Sequence, residues 1–227
     1  MKKLVLFDID GTLLQCGKQV GPIFLEALKE TFGDFRKPEN HSFAGKTDPM
    51  LVVELVRGIG LNLGDIHANL PAMRDAYLRK LEQRLDPGQM RLLPGVVELL
   101  ERLAQREDVE LGLLTGNWRD GARIKLSRFQ LGRFFRFGAF GDDGLERREL
   151  VPVALERALQ AAGQAFPPDR VLIVGDTLLD VDCAHASGVR CLAVATGFTD
   201  AETLQRGGAD WVFPDLQQAS LGFSLFR

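Results

Sequence analysis

The chain has 227 residues, 45% hydrophobic and 26% charged, a size that accommodates one large domain or one domain with a smaller insert. Its 28 basic and 31 acidic residues are well mixed and leave a net charge of −3, which gives no electrostatic footprint for nucleic acid. Three cysteines without metal-ligand spacing (Cys16, Cys183 and Cys191) read as buried thiols of a reduced compartment, and no run approaches 18 apolar residues, so a cytoplasmic protein with no membrane partner is expected.

Met1-Lys2-Lys3 imitates the start of a signal peptide, but Asp8 cuts the apolar run far too short. Leu4 to Phe7 instead predict a buried strand, halted at Gly11-Thr12, with Asp8 and Asp10 at its far end. Residues 15–88 then read as helices only, in "GPIFLEALKETF", "DPMLVVELVRG" and "IHANLPAMRDAYLRKLEQRL". The return falls near "DPGQMRLLPG", where two Pro and two Gly mark a linker. From residue 94 helix and strand alternate. "PGVVELLERLAQRE" leads into the strand "VELGLLTGN", followed by a helix near Trp118 to Phe129 and a short strand near "FFRFGAF". A helix over Leu150 to Ala162 precedes "DRVLIVGDT", then a helix near Leu179 to Ser187, the strand "VRCLAVATG" and finally "ADWVFP". Short apolar strands separated by helices predict an α/β fold with a doubly wound, Rossmann-like parallel sheet. The core domain is expected over 1–14 and 89–227, and an all-helical cap domain over 15–88 above the crevice. The "LQQASLGFSLFR" tail carries no signal.

Three of these strands end in polar residues: Asp8 and Asp10, then Thr115, then Asp176. In a parallel sheet these ends share one edge, where ligands bind in open α/β folds. Asp8 and Asp10 are two apart, so on an extended strand their side chains share a face. Clustered carboxylates repel each other, and a divalent cation relieves the repulsion. Oxygen ligands with no His or Cys nearby point to Mg²⁺ rather than zinc.

In this order, "DIDGT", "LLTGN" and "GDTLLD" closely resemble the haloacid dehalogenase superfamily in its phosphatase branch. A DxDGT closing an N-terminal strand, with GDxxxD about 170 residues later, is a specific pairing, and the likeness covers nearly the whole chain. The resemblance implies a role for each matching residue. Asp8 would be the nucleophile, forming an aspartyl phosphate, and also a metal ligand. Asp10 would protonate the leaving alcohol, then activate water, with its backbone carbonyl on the metal. Asp176 would bind Mg²⁺ directly and Asp180 would support it. Thr115, Gly116 and Asn117 would hold phosphate oxygens through a hydroxyl and exposed amides.

One element departs from the family pattern. Relatives supply a Lys between the second and last motifs, but this region reads "GDDGLERRELVPVAL", with none. Arg147 or Arg148 would substitute, and a guanidinium suits phosphate through paired hydrogen bonds. Asp142 and Asp143 in the same loop would add metal-side charge. In the cap, the "FAGKTDP" loop resembles a segment that reaches the substrate in relatives, so Lys46 and Thr47 would contact the leaving group. Against this stands a plain helix cap, with Asp48 before Pro49. His41, His67 and His185 read as structural.

The implied function is a Mg²⁺-dependent, phosphoglycolate phosphatase-like hydrolase acting on a small phosphorylated metabolite, as a monomer or homodimer. Dehalogenases and phosphonate hydrolases of the superfamily lack an acid at the place of Asp10, which argues against both. A sugar-phosphate mutase shares both aspartates. A non-catalytic binding or regulatory module on the same fold is the alternative from another class.

Overall fold

The computed structural model describes residues 2–35, 41–57 and 60–224. Its main sheet has six strands in the order β5-β4-β1-β6-β7-β8, every adjacent pair parallel. The strands are β1 (Lys3–Phe7), β4 (Val109–Leu114), β5 (Phe137–Ala139), β6 (Val171–Gly175), β7 (Arg190–Val194) and β8 (Trp211–Phe213). β1 is central, with Leu4 opposite Glu110 of β4 on one side and Val171 of β6 on the other. Its residues 4–7 are wholly buried, and the two-residue period divides them between two cores. Val5 and Phe7 join one core, which includes residues of α4 (Val96–Ala104), α5 (Arg119–Ser127) and α9 (Leu216–Gly222). Leu4 and Leu6 join the other, with residues of α6 (Leu150–Ala162) and α7 (Leu178–Ala186). A sheet buried on both faces explains why its strands read as continuous apolar runs.

The chain runs from β1 outward to β4 and β5, then returns across β1 to β6, β7 and β8, so the winding direction reverses beside β1. That reversal opens a crevice at the carboxyl ends of the strands. There Asp8 follows β1, Thr115 follows β4 and Asp176 follows β6.

Three helices stand between the first strand and the rest of the sheet: α1 (Val20–Phe32), α2 (Asp48–Val56) and α3 (Leu63–Arg84). They match the three helical runs read from the sequence, although Gly58 at the end of the second run lies outside the described residues. So do Met1 and residues 225–227 of the tail. Phe24 of α1 and Tyr77 of α3 are wholly buried and meet Trp118, which precedes α5, at 6.0 and 5.8 Å between ring centroids. This aromatic group ties the helical segment to the sheet domain.

The segment is framed by an element that the sequence reading does not include. A two-stranded antiparallel ribbon pairs β2 (Leu14–Gln15) with β3 (Arg91–Leu92), bringing the departing and returning chain side by side. Two-residue strands are too short to show periodicity. A short helix α8 (Ala201–Arg206), begun by Asp200 accepting from the Thr203 amide, also escaped the reading, as did α9 in the tail. No helix among the described residues is long and apolar enough to cross a membrane.

Candidate active site

Because β1 and β6 are neighbours, the aspartates that follow them lie side by side. Carboxylate oxygens of Asp8, Asp176 and Asp180 all fall within 4.8 Å of one another, and all three residues are buried. Asp8 is fixed by its amide, which donates to the Val174 carbonyl at 2.9 Å. The Thr12 hydroxyl donates to Asp176 Oδ1 at 3.0 Å. Two loops press on this carboxylate: a Cβ at Gly197 would lie 1.7 Å from Asp176 Oδ2, and one at Gly11 would lie 2.3 Å from it. Gly11 also has φ +87°, which disfavours any other residue there.

Asp180 has a local task as well. It is the third residue of α7, and its Oδ2 accepts from the Thr177 amide at 3.0 Å and the Thr177 hydroxyl at 2.7 Å. This capping arrangement satisfies donors at the helix start and fixes the carboxylate. Asp180 therefore both opens α7 and belongs to the acidic cluster.

The cluster is electrostatically expensive without a cation. Burial pushes the Asp176 carboxyl up to about 9, reinforced by repulsion from Asp180 and Asp8. Burial likewise pushes Asp8 up to about 6, against the opposing pull of Arg147. Three carboxylates and one guanidinium, fully ionised, leave a charge that a divalent cation neutralises. An all-oxygen donor set in a tight, glycine-lined recess suits a hard cation of that charge.

A pH dependence follows. Both folded-state values lie above the ordinary carboxyl value of 3.8, so the folded protein holds protons that the unfolded chain has released. The contribution is complete below the unfolded value and is lost as pH rises through about 6 and then about 9. Thermal melts in chelator should therefore show these carboxyls removing stability as pH rises. A divalent cation should stabilise the protein far more on the alkaline side than near pH 5. Equal stabilisation at both ends would contradict this account.

Arg147 lies in a 3-10 turn (Arg147–Glu149) just before α6 and is 6% exposed. Its Nη2 is 3.2 Å from Asp8 Oδ1 and 2.5 Å from Asp180 Oδ1. The guanidinium also donates to the carbonyls of Gly45 at 3.0 Å and Leu114 at 3.2 Å. Burial alone would lower its pKa, but Asp180 and Asp8 outweigh that and raise it. Adjacent residues of a 3-10 turn point about 120° apart. Arg148 accordingly faces outward, its side chain 60% exposed and paired with Glu146 at 2.7 Å. Of the two candidates left open by the sequence, the structure places Arg147 in the cluster and Arg148 outside it.

Asp142 and Asp143 do not add charge on the cluster side. Asp143 forms two hydrogen bonds with Arg157, at 2.5 and 2.7 Å, while Asp142 accepts from the Arg119 amide at 2.5 Å. Short polar residues at a loop start serve these local partners first.

Asp10 departs from the shared face expected for an extended strand, because β1 ends at Phe7 and the chain turns. Its carboxylate lies outside the acidic cluster and accepts at Oδ2 from the Lys125 ammonium at 2.6 Å and Asn117 Nδ2 at 2.8 Å. Asn117 also donates from Nδ2 to Thr115 Oγ1 at 2.8 Å and accepts at Oδ1 from Lys125 at 2.6 Å. The Asn117 side chain thus joins Thr115, Asp10 and Lys125 and turns inward, a role beyond the backbone amide that the sequence reading gives to phosphate. Thr115 is wholly buried.

Lys125, 2% exposed in the last turn of α5, was missed by sequence reasoning. A trace of it is visible: it sits between Ile124 and Leu126, an unusual place for a lysine on a packed helix.

The "AGKTD" loop reaches the Thr115–Asn117 turn through its backbone. A Cβ on Gly116 would lie 2.1 Å from the Lys46 carbonyl, and the Asp48 amide donates to the Gly116 carbonyl at 2.8 Å. The Asp48 carboxylate accepts from the Trp118 amide at 2.7 Å. Thr47 is 1% exposed, caps α2 by accepting from the Met50 amide at 3.2 Å, and donates its hydroxyl to the Leu145 carbonyl. The Lys46 ammonium is 2.5 Å from Glu54, which also meets His41 at 2.8 Å. Both expected substrate contacts of the loop are engaged with the chain itself. His185 pairs with Asp210 at 3.0 Å, and His67 is exposed.

Residues 5–194 match the family described as haloacid dehalogenase-like hydrolase. A phosphoglycolate phosphatase of Pseudomonas savastanoi pv. phaseolicola is 29% identical over 225 residues, covering 96% of this chain and 78% of that protein. Among solved structures, a hydrolase from Pseudomonas syringae superposes with a TM-score of 0.71 at 24% identity, over 99% of each chain. CbbY from Rhodobacter sphaeroides, determined in complex with phosphate, gives 0.70 at 22% identity over 96% of each chain. The family match spans every element that brings Asp8, Thr115 and Asp176 to one edge, and the chain belongs to the haloacid dehalogenase-like hydrolases.

Proposed function

We propose that the protein is a Mg²⁺-dependent phosphatase that hydrolyses a small phosphorylated metabolite through an aspartyl phosphate on Asp8. The observation that carries this reading is the buried trio of Asp8, Asp176 and Asp180 with Arg147 reaching both Asp8 and Asp180. Asp8, Asp176 and the Asp10 backbone carbonyl would hold Mg²⁺, with Asp180 in support. When bound, the ion offsets the repulsion between these carboxylates and a phosphate dianion.

A carboxylate oxygen of Asp8 attacks phosphorus, and the bond from phosphorus to the leaving oxygen breaks. Asp10 gives that oxygen its proton. In the second step Asp10 takes a proton from water as the water oxygen bonds to phosphorus and Asp8 is released. Thr115, the Gly116 amide and Arg147 hold the remaining phosphate oxygens. The α1–α3 segment acts as a cap over this crevice, residues 15–88 being the capping domain and the rest the core. The phosphoglycolate phosphatase relative supports a small, acidic, cytoplasmic substrate such as a phosphorylated carboxylic acid.

The test is a panel of phosphate monoesters, 2-phosphoglycolate among them, assayed for phosphate release with and without Mg²⁺. Release confined to the Mg²⁺ arm is expected, and none from any ester would refute the reading.

The two aspartates should also separate kinetically. Asp10→Ala should slow the first step by about 10²–10⁴-fold for an alkyl phosphate, whose alkoxide leaves poorly. An aryl ester of an acidic phenol should suffer much less. Single-turnover phosphorylation rates decide, and equal losses for both esters would remove Asp10 from the acid role.

A further inference from the structure

We propose that Lys125 is a positioning residue for Asp10, holding one carboxylate oxygen so that the other exchanges the proton. The inference rests on Asp10 acting as acid and base, as read above. A lysine almost wholly out of water loses its hydration and needs a built partner set to remain charged there. Lys125 has that set: Asp10 Oδ2 and Asn117 Oδ1, each at 2.6 Å. Asn117 closes the triangle by donating to the same Asp10 oxygen at 2.8 Å, and extends it to Thr115 Oγ1. Oδ2 is therefore bound twice by rigid donors of the sheet domain.

The other oxygen is different. Asp10 Oδ1 is approached by the Cys16 thiol at 3.7 Å, a weak contact. The side chain of Asp10 is 40% exposed while that of Lys125 is 3% exposed, so the pair opens outward on the aspartate side. Oδ2 is the anchored atom and Oδ1 the one free to meet a leaving oxygen or a water. The same triangle joins the carboxylate to the Thr115–Asn117 turn, so the proton donor and a phosphate-holding turn keep a fixed separation. Misplacing a reacting group by about 1 Å can cost on the order of 10²-fold in rate. A compact ammonium carried on α5 meets Asp10 Oδ2 and Asn117 Oδ1 together.

A double-mutant cycle tests this. Lys125→Met, Asp10→Asn and the double variant are compared in single-turnover phosphorylation by an alkyl phosphate and by nitrophenyl phosphate. Lys125→Met alone should slow the alkyl ester by about 100-fold and the aryl ester by only a few-fold. In the Asp10→Asn background the same change should cost nothing further, because its partner function is already gone. An equal loss for both esters, or a full additional loss in the Asp10→Asn background, would overturn the proposal and leave Lys125 a packing residue. If the Met variant does not fold, Lys125→Gln, which keeps a donor without the charge, is carried through the same cycle with the same two criteria. An inactive wild-type protein would instead refute the phosphatase reading itself, so the two failures are distinguishable.

Discussion

Asp8→Asn should abolish turnover in a protein that still folds. An amide cannot attack phosphorus as a carboxylate does, and removing a nucleophile typically costs on the order of 10⁴–10⁶ in kcat. The fold should survive because the amide oxygen can still accept from Arg147, now 3.2 Å from Asp8 Oδ1. It also removes a buried carboxyl whose ionisation is disfavoured by burial, so the metal-free variant should be at least as stable as wild type above about pH 6. Phosphate release within tenfold of wild type by the purified, folded variant would eliminate Asp8 as nucleophile. Retained release with a large loss of stability would point instead to a structural carboxylate.

Arg147→Met should be the most destabilising single change at the site. Removing one partner of a buried charge group costs about 3–5 kcal/mol, because the other charges stay behind uncompensated. Here Asp180 loses a donor at 2.5 Å, Asp8 loses its facing cation, and the carbonyls of Gly45 and Leu114 lose theirs. Arg147→Lys should recover little, since one ammonium cannot reach four acceptors spread around a planar fork. Arg148→Ala is the natural comparison, and an exposed pair with Glu146 should be worth less than about 1 kcal/mol. Urea unfolding of the three variants checks the order. The Arg147→Met deficit should shrink in acid, where Asp8 takes up a proton as pH falls through about 6. An Arg147 variant as stable as the Arg148 variant would contradict the buried network.

The pattern along the chain made the sheet and its edge legible because the relevant signals are local. Four apolar residues before Asp8, the six-residue run VELGLL with its single Glu before Thr115 and VLIVG before Asp176 mark buried parallel strands, whose ends must meet on one edge. Asp180 carried a local signal too, in its spacing from Thr177. Side-chain direction was harder to read. Arg147 and Arg148 are adjacent, and only the 3-10 turn decides which one enters the cluster. Asp10 shares the face of Asp8 only on a strand extended past Phe7, and β1 ends there. Lys125 pairs with a residue 115 positions away, a relation with no local trace beyond its apolar neighbours. Thr47 shows another hazard: the capping reading rests on Asp48 before Pro49, but Thr47 is the cap of α2, and the Asp48 carboxylate accepts from the Trp118 amide instead.

The central place of β1 has a consequence for how the protein is made. Leu4 cannot find its neighbour Glu110, nor Val171 on the other side, until more than a hundred further residues have been added. At ordinary ribosomal speeds that delay is on the order of ten seconds. Throughout it an apolar strand with two bare edges is exposed to other chains, and such edges invite mispairing. Crowded overexpression should therefore yield inclusion bodies more readily than the stability of the finished protein suggests, and slower translation or added holdase chaperones should recover material that stronger promoters lose.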